Sequence, residues 1–577
     1  MQTWRRTVRM AAALLLLGLM TGCFGAENGE EENNGNGRLD AGPGLDSSGV
    51  TLTVFGAADA SVLRQPFQDD EVMRELERRT GVRLDFSPSL NVTDAAVKLS
   101  VMLANKELPD LVIYNAMADR SKVLSAKVAR PLDELIEKYG PDIRKNAATA
   151  LEISKSSNSD ETHSLYFLPG GVGDVQFSPL MSDNTWNLRW DLYKRLGYPR
   201  LDTLDDLLDV LEQMQKTEPV NRDRKKTYGF GLNLADGSGH LQLDRAIANL
   251  QGYVQASSYD AYLEMGSGRL VPRVSDANSV FWKAMRFYNQ AYRRGLLDPE
   301  SATMKAVTLT AKYKSGRYFA SPSHALLGGA DSVFLSNGDT EKGFVPFLIE
   351  ANPEHIFAGQ ATYNGNAFEL FIPKTSKNAE AAMKFINYLY TYEGAELLLN
   401  GIEGKHYDMA GGVPIIRDAE LEARRSDPNH TIRTGIGKYR NLLRFKPERD
   451  PRGFPVQFED VPETMKRLVT PVQKDFMERY GYKTVTEPFT RIPTYVFDTS
   501  LLGSLSVRPG SDVQAKEQQL NAYLTANIAR VLFQRTDEEF EQAKRKLLEE
   551  YASKGAASVF AYYKERYEET IRTMGPQ

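Results

Sequence analysis

The chain has 577 residues, a formal net charge of −5, 41% hydrophobic and 25% charged residues, and one cysteine. Its length exceeds what a single hydrophobic core supports, so at least two domains are expected, and the composition is that of an ordinary globular protein. The acidic balance argues against nucleic acid as a partner, and one cysteine excludes an intramolecular disulfide framework.

Read from the start, Arg5, Arg6 and Arg9 precede the apolar run Ala11–Met20, which ends at Thr21-Gly22-Cys23. This is the pattern of an export signal. The run stops short of the roughly 20 apolar residues that a bilayer crossing needs, and no later stretch approaches that length. Met20-Thr21-Gly22-Cys23 resembles the lipobox of bacterial lipoproteins, in which the cysteine is acylated and becomes the first residue. Met20 departs from the usual branched residue at that position. The expectation is a signal peptide over 1–22, with an acyl chain such as palmitate on Cys23. Losing the three arginines takes the charge from −5 to −8. Residues 23–49 are mainly Glu, Asn and Gly, too polar to bury, and read as a flexible tether.

The folded body begins at Thr51–Phe55, where Leu52 and Val54 alternate with threonines as in a strand. A helix follows, capped by Asp69 or Asp70 and stopped by Gly81, then strand Val82–Phe86, a helix over Val97–Asn105, the turn Leu108-Pro109-Asp110 and strand Leu111–Tyr114. Strands and helices in this alternation predict a parallel sheet covered by helices. A change of lobe is expected near Leu165–Gly171. Leu188, Leu192 and Leu196 predict a helix ending at Gly197, and Thr203-Leu-Asp-Asp206 is a capping box opening the next. Further helices are predicted over Trp282–Arg294, Ala379–Tyr390 and Glu393–Asn400, with Phe368–Ile372 as a strand before the last two. Thr434–Pro493 shows no periodicity and reads as a surface wrap. Thr536-Asp-Glu-Glu539 caps a closing helical region.

Several segments together resemble the family 1 extracellular solute-binding lipoproteins of carbohydrate ABC importers. They are Leu108–Asp110, Leu188–Asp191 with Leu196–Pro199, Tyr292–Glu300, Asn387–Tyr390 through Gly394, Gly401–Gly404 with Tyr407, and Thr536–Tyr567. Phe540 stands where that family usually has Trp. The resemblance implies an α/β, two-lobed periplasmic-binding-protein-like fold, each lobe a mostly parallel sheet flanked by helices, with a carbohydrate bound in the cleft between lobes. It also implies a monomer that delivers its ligand to ABC importer permease subunits, held outside the cytoplasm on the cell membrane by a lipid anchor at Cys23. The lobes are expected at 50–165 plus 358–400, and at 166–357 plus 401–577.

Ligands in such sheets gather beyond the carboxyl ends of strands, which marks Asp59, Asn115 and Asp119 as candidates. On a helix through this segment Trp186 and Trp190, four apart, share a face away from the leucine stripe, where the rings either stack on sugar or pack on a neighbouring helix. Tyr363, Asn364 and Asn366 supply an aromatic and two amides just before a strand. No nucleophile elbow, phosphate loop or H-E-x-x-H occurs, and the six histidines lack metal-ligand spacing. No enzyme activity or cofactor is therefore expected, and no residue is assigned to a metal. A surface-anchored polysaccharide-degrading enzyme and a non-transport sensor or scaffold lipoprotein are the alternatives, because sequence cannot exclude a carboxyl pair brought together by folding.

Overall fold

The structure, a computed structural model, describes residues 49–57, 70–90, 92, 94–157, 162–173, 185–236, 239, 242–256, 260–351, 356–361, 368–427, 429–490, 494–498, 505, 507 and 511–574. In chain order its first strands are β1 (Val50–Phe55), β2 (Val82–Asp85), β3 (Leu111–Asn115) and β4 (Leu168–Pro169). The second lobe holds β5 (Trp186–Arg189), β6 (Tyr253–Gln255), β7 (Ala261–Glu264), β8 (Arg269–Pro272), β9 (Ala320–Ser321) and β10 (Phe344–Phe347). Then come β11 (Ile356–Ala361), β12 (Phe368–Phe371), the hairpin β13 (Tyr407–Ala410) and β14 (Val413–Ile416), and β15 (Thr494–Asp498).

The first lobe is a five-stranded sheet in the order β2-β1-β3-β12-β4. β1 pairs in parallel with β2 and β3, as the strand–helix alternation predicts, while β12 runs antiparallel to both β3 and β4. Alternating side chains feed two cores. Leu52, Val54, Leu111, Ile113, Leu168 and Leu370 pack on one face of the sheet, and Phe55, Val112, Tyr114, Phe167 and Phe371 on the other. The helix Glu71–Thr80 begins where the Asp70 carboxylate accepts the Met73 amide at 2.9 Å and ends at Gly81, whose φ of 68° suits a residue without Cβ.

The second lobe centres on β10-β5-β9, and both pairs in it are antiparallel. The expectation of a mostly parallel sheet is therefore corrected here. β5 follows the first crossing and β10 precedes the second, so this pair carries the chain out and back in opposite senses, and β9 runs antiparallel to β5 as well. A separate core forms around Trp186, Leu188, Phe230, Trp282, Phe287 and Val345, closed by the helices Asp512–Leu532, Asp537–Ser553 and Ala556–Met574. Phe540 is buried in that core. The capping boxes at Thr203 and Thr536 are both formed.

Two expected lobe boundaries shift. β4 extends the first lobe to Pro169, past the boundary at 165, because it hydrogen-bonds to β12. Residues 401–456 return to the first lobe: Ile436, Tyr439, Leu442, Phe445 and Val456 pack into the core beneath β1 and β3. Their contacts are long-range and leave no local period in the sequence. By the described residues on either side, the chain passes between lobes three times, between Gly173 and Thr185, between Ala351 and Phe368, and between Leu468, which packs on the hairpin core, and Val472, which packs in the second.

Candidate functional site

The carboxyl ends of β1 and β3, the start of β12 and the exit from β4 meet where the first two crossings leave the first lobe. β1 is followed directly by Gly56, φ 83°, where any Cβ would stand 2.0 Å from the Ile113 carbonyl oxygen, so only glycine fits. Its amide donates to Ser89 Oγ at 3.1 Å and its carbonyl accepts from Asn441 Nδ2 at 2.8 Å. A turn after β2 and a segment nearly 400 positions away are thereby tied to one strand end.

Beside it lies a charged cluster. Glu369 on β12 is 3% exposed and accepts Tyr114 Oη at 2.6 Å, Arg120 Nε at 3.0 Å and an Arg120 terminal nitrogen at 2.8 Å. Burial and the facing Glu369 carboxylate push the Tyr114 phenol well above its ordinary value. Burial alone would lower the Arg120 guanidinium, but its forked bond to Glu369 wins and its pKa is raised. Arg120 and Glu369 thus form a fixed, mutually neutralising unit.

Arg444, with a fully buried side chain, donates to the carbonyls of Leu168 and Phe368 at 3.2 Å each and to that of Asn441. Burial without a paired carboxylate pushes it down to about 10, opposed by weaker pulls from Tyr390 and Glu369. Gly170 permits this, since a Cβ there would lie 2.5 Å from the guanidinium. The exit strand then pairs with the returning segment through Gly171 N to Leu443 O (2.9 Å), Val172 N to Arg444 O (2.9 Å) and Lys446 N to Val172 O (2.7 Å). On the second lobe, Thr185 Oγ1 donates to the Phe347 carbonyl at 2.9 Å, joining the end of the first crossing to the strand that leads into the second. This arrangement presents hydrogen-bonding groups on fixed strand ends at the junction of two separately packed bodies.

No family model matches the chain. Among characterised proteins, it is 24% identical over 331 residues to the fructooligosaccharide ABC transporter substrate-binding protein FusA of Streptococcus pneumoniae, a match covering 55% of this chain and 57% of FusA. It is 22% identical over 387 residues to lipoprotein LipO of Bacillus subtilis, covering 64% of this chain and 70% of LipO. The match to FusA therefore spans little more than half of that protein's length. In three dimensions, FusA in complex with kestose superimposes with a TM-score of 0.60 at 16% identity, covering 91% of this chain and all of that one. The alginate-binding protein AlgQ2, solved without calcium ion, gives a TM-score of 0.59 at 16% identity, again covering 91% and 100%. The chain is thus similar in sequence to the substrate-binding protein FusA and to lipoprotein LipO, and it shares the two-lobed fold of the FusA and AlgQ2 structures. In this two-lobed fold the strand ends described above are the first lobe's share of the junction.

The candidate residues fall out as follows. Asn115 closes β3 with its side chain exposed, and Asp119 is buried and paired with Lys122 at 2.6 Å. Cys23, Asp59, Tyr363, Asn364 and Asn366 lie outside the described residues. Trp186 and Trp190 do not line a cleft. Residues 186–189 are strand β5 and only from Trp190 does a short helix begin, so the two rings do not share a helical face. Trp186 is 0% exposed against Phe230 and Phe287; Trp190 is 1% exposed among Tyr193, Tyr198, Phe476 and Tyr480 and donates its Nε1 to Asp475 at 2.5 Å. Both are core residues of the second lobe. Sequence reasoning passed over Tyr114, Arg120, Glu369, Asn441 and Arg444. A signal was available, because Glu369 and Arg444 each stand as single charges between large apolar neighbours, Phe368-Glu-Leu370 and Leu443-Arg-Phe445.

Surface hollows lie elsewhere. One of about 540 Å³ sits between β8 and the helix Ala556–Met574, and another beside Glu71, Arg78 and Lys405; neither is at the junction. Among the described residues no cluster of His, Cys, Asp and Glu could hold a metal ion, and no helix is long and apolar enough to cross a membrane.

Proposed function

We propose that this chain captures a carbohydrate at the junction of its two lobes and delivers it to the permease of an ABC importer, itself held outside the cytoplasm by an acyl chain on Cys23. The observation that carries the reading is the pair of separately packed cores joined by three crossings, with a rim of fixed polar groups at the junction. Two bodies with independent cores can approach and part around a ligand without repacking either interior. The relatives support the class of ligand, since FusA is a fructooligosaccharide-binding transport protein, and LipO supports the lipoprotein reading. On this proposal the chain acts as a monomer and leaves its ligand chemically unchanged.

The test is calorimetric titration and thermal shift of the mature chain with short oligosaccharides, together with analysis of the sugar afterwards. Saturable binding with a shift in unfolding temperature and unaltered sugar is expected, because a ligand of the folded state adds RT ln(1 + [L]/Kd) to stability. Turnover of the sugar abolished by a single carboxylate substitution would replace transport binding with catalysis. Cys23→Ser is expected to move the protein from the membrane fraction to the soluble one, and unchanged fractionation would remove the lipid anchor from the proposal.

A further inference from the structure

One turn of the second lobe gathers positive charge that no acid of the chain answers. In a chain of net charge −5, Arg222, Arg224, Lys225 and Lys226 stand exposed side by side, with Asp223 as the one acid among them. Lys314 and Arg317 join them, because the Asn221 side-chain amide donates to the Ser315 carbonyl at 2.8 Å and Arg317 Nε donates to the Lys226 carbonyl at 3.1 Å. None of these six cations forms an ion pair among the described residues. The acid that opens the turn, Glu218, is taken by Arg189 at 3.3 Å. Other arginines of the same lobe are paired: Arg273 with Asp244, Arg286 with Glu541, and Arg294 with Asp209 and Glu212.

The turn is built stiff. Asn221 Oδ1 accepts the amides of Asp223 and Lys225 at 3.1 and 2.9 Å, the Asn221 amide donates to the Lys225 carbonyl at 2.9 Å, and the Thr227 amide donates to the Pro219 carbonyl at 3.1 Å. Arg224 takes φ 58°, a left-handed position that glycine or asparagine would fill at less cost, so the backbone does not ask for a cation there. Lys226 and Arg317 lie over the Tyr228 ring at 5.0 and 5.7 Å, which holds two of the charges in place without neutralising them.

Two features of the patch point to what it meets. Exposed valines flank the cations: Val220 bridges to Lys226, and Val307 stands seven residues before Lys314 on the same face of the helix Ala306–Lys314. Apolar side chains beside cations suit a lipid headgroup layer, which offers phosphate charge at its surface and hydrocarbon beneath, whereas a soluble polyanion gains nothing from them. The patch also stands away from the junction. β5 starts at Trp186, just after the first crossing, and ends at Arg189, which holds Glu218, so the turn lies past the end of β5 remote from the crossings.

We infer that this face of the second lobe rests on an anionic membrane surface and keeps the junction clear of the lipid. The inference takes from the lipid-anchor reading above only that a membrane is within reach. Contacts between a basic patch and anionic headgroups are reversible and fade within a Debye length, so the patch orients the body while the acyl chain retains it.

The experiment uses the mature chain carrying Cys23→Ser, which has no acyl chain, so that failure of the anchor reading and failure of this inference are read separately. It is sedimented with vesicles of phosphatidylcholine alone or with about 40% phosphatidylglycerol, at about 0.05 and 0.5 M salt. Binding to the anionic vesicles alone is expected, weakened about tenfold or more at the higher salt. The triple variant Arg222→Gln, Lys225→Gln, Lys226→Gln should bind them about tenfold more weakly still, with its unfolding temperature unchanged. Should it fail to fold, Lys314→Gln on the neighbouring helix is expected to weaken binding about twofold to fivefold. Absence of binding at the lower salt, equal binding to both kinds of vesicle, or anionic binding that the substitutions leave alone overturns the inference. Tighter binding to polyglutamate than to anionic vesicles of the same charge concentration overturns it too, and gives the face to an acidic protein segment.

Discussion

Arg444 in the first lobe and Arg273 in the second are both fully buried, but Arg273 faces the Asp244 carboxylate while Arg444 faces three backbone carbonyls. The difference follows from what each holds together. Arg273 follows β8 directly, so its pair with Asp244 fastens the β6–β7–β8 meander to the helix that starts at Arg245, all within one lobe. The carbonyls held by Arg444 belong to β4, β12 and the returning segment, which are the strands by which the chain leaves and re-enters the first lobe. A carboxylate can compensate one buried cation at one point, whereas a guanidinium with several donors can gather several strands at once. Of these two arginines, Arg273 therefore stiffens the interior of the second lobe and Arg444 the doorway of the first.

Substitutions can break this comparison, beginning with the largest effect. Trp186→Ala empties the centre of the second core and should cost about 3–5 kcal/mol by chemical denaturation, with sugar affinity of the folded fraction unchanged. A loss of affinity at intact stability would return Trp186 to the ligand site. Asp244→Asn strands Arg273 without its counter-charge and should cost about 3 kcal/mol, confined to the second lobe. Arg444→Met leaves three carbonyls short of a donor and should cost about 2 kcal/mol. Unlike the two preceding variants it should also speed amide exchange at Gly171 and Val172, and unchanged exchange there would mean that the backbone pairs alone hold the doorway.

The smallest effect is one of pH. Glu420 in the first lobe is buried, which alone would raise its pKa, but His430 and Arg424 hold it at about 2. Because the folded value lies below the unfolded one near 4.5, its stabilisation is complete above about pH 4.5 and is lost as pH falls toward 2. At most about 2 kcal/mol is expected, and Glu420→Gln should flatten that part of the acid limb. An acid limb that persists in the variant would assign it to other carboxylates.

Local signals in the sequence translated well where one residue decides the outcome. Gly81 stops its helix in a left-handed conformation, and Thr203 and Thr536 form their caps, because each depends on side chains within a few positions. The tryptophans misled because β5 is only four residues long and all four are buried, so neither a period of two nor one of 3.6 is visible across Trp186–Trp190. The return of 436–456 to the first core was invisible for a different reason. Its partners on β1 and β3 lie hundreds of positions away, and nothing local announces them. At the junction, strand-end reasoning marked Asn115, which closes β3, but the neutralised pair of Arg120 and Glu369 required β3 and β12 to be neighbours, which only the fold supplies.

Of the chain's four tryptophans, Trp4 lies in the segment whose removal is proposed above, and the other three, Trp186, Trp190 and Trp282, sit in the second core and not in the first. Ultraviolet emission from this protein is therefore a one-sided reporter. It will follow the melting of one lobe and stay nearly blind to the other, whereas far-ultraviolet circular dichroism sums over both. If the lobes unfold as one unit, the two signals will trace a single curve; if the crossings let them part company, the curves will separate, and emission alone would report a stability that belongs to half a molecule.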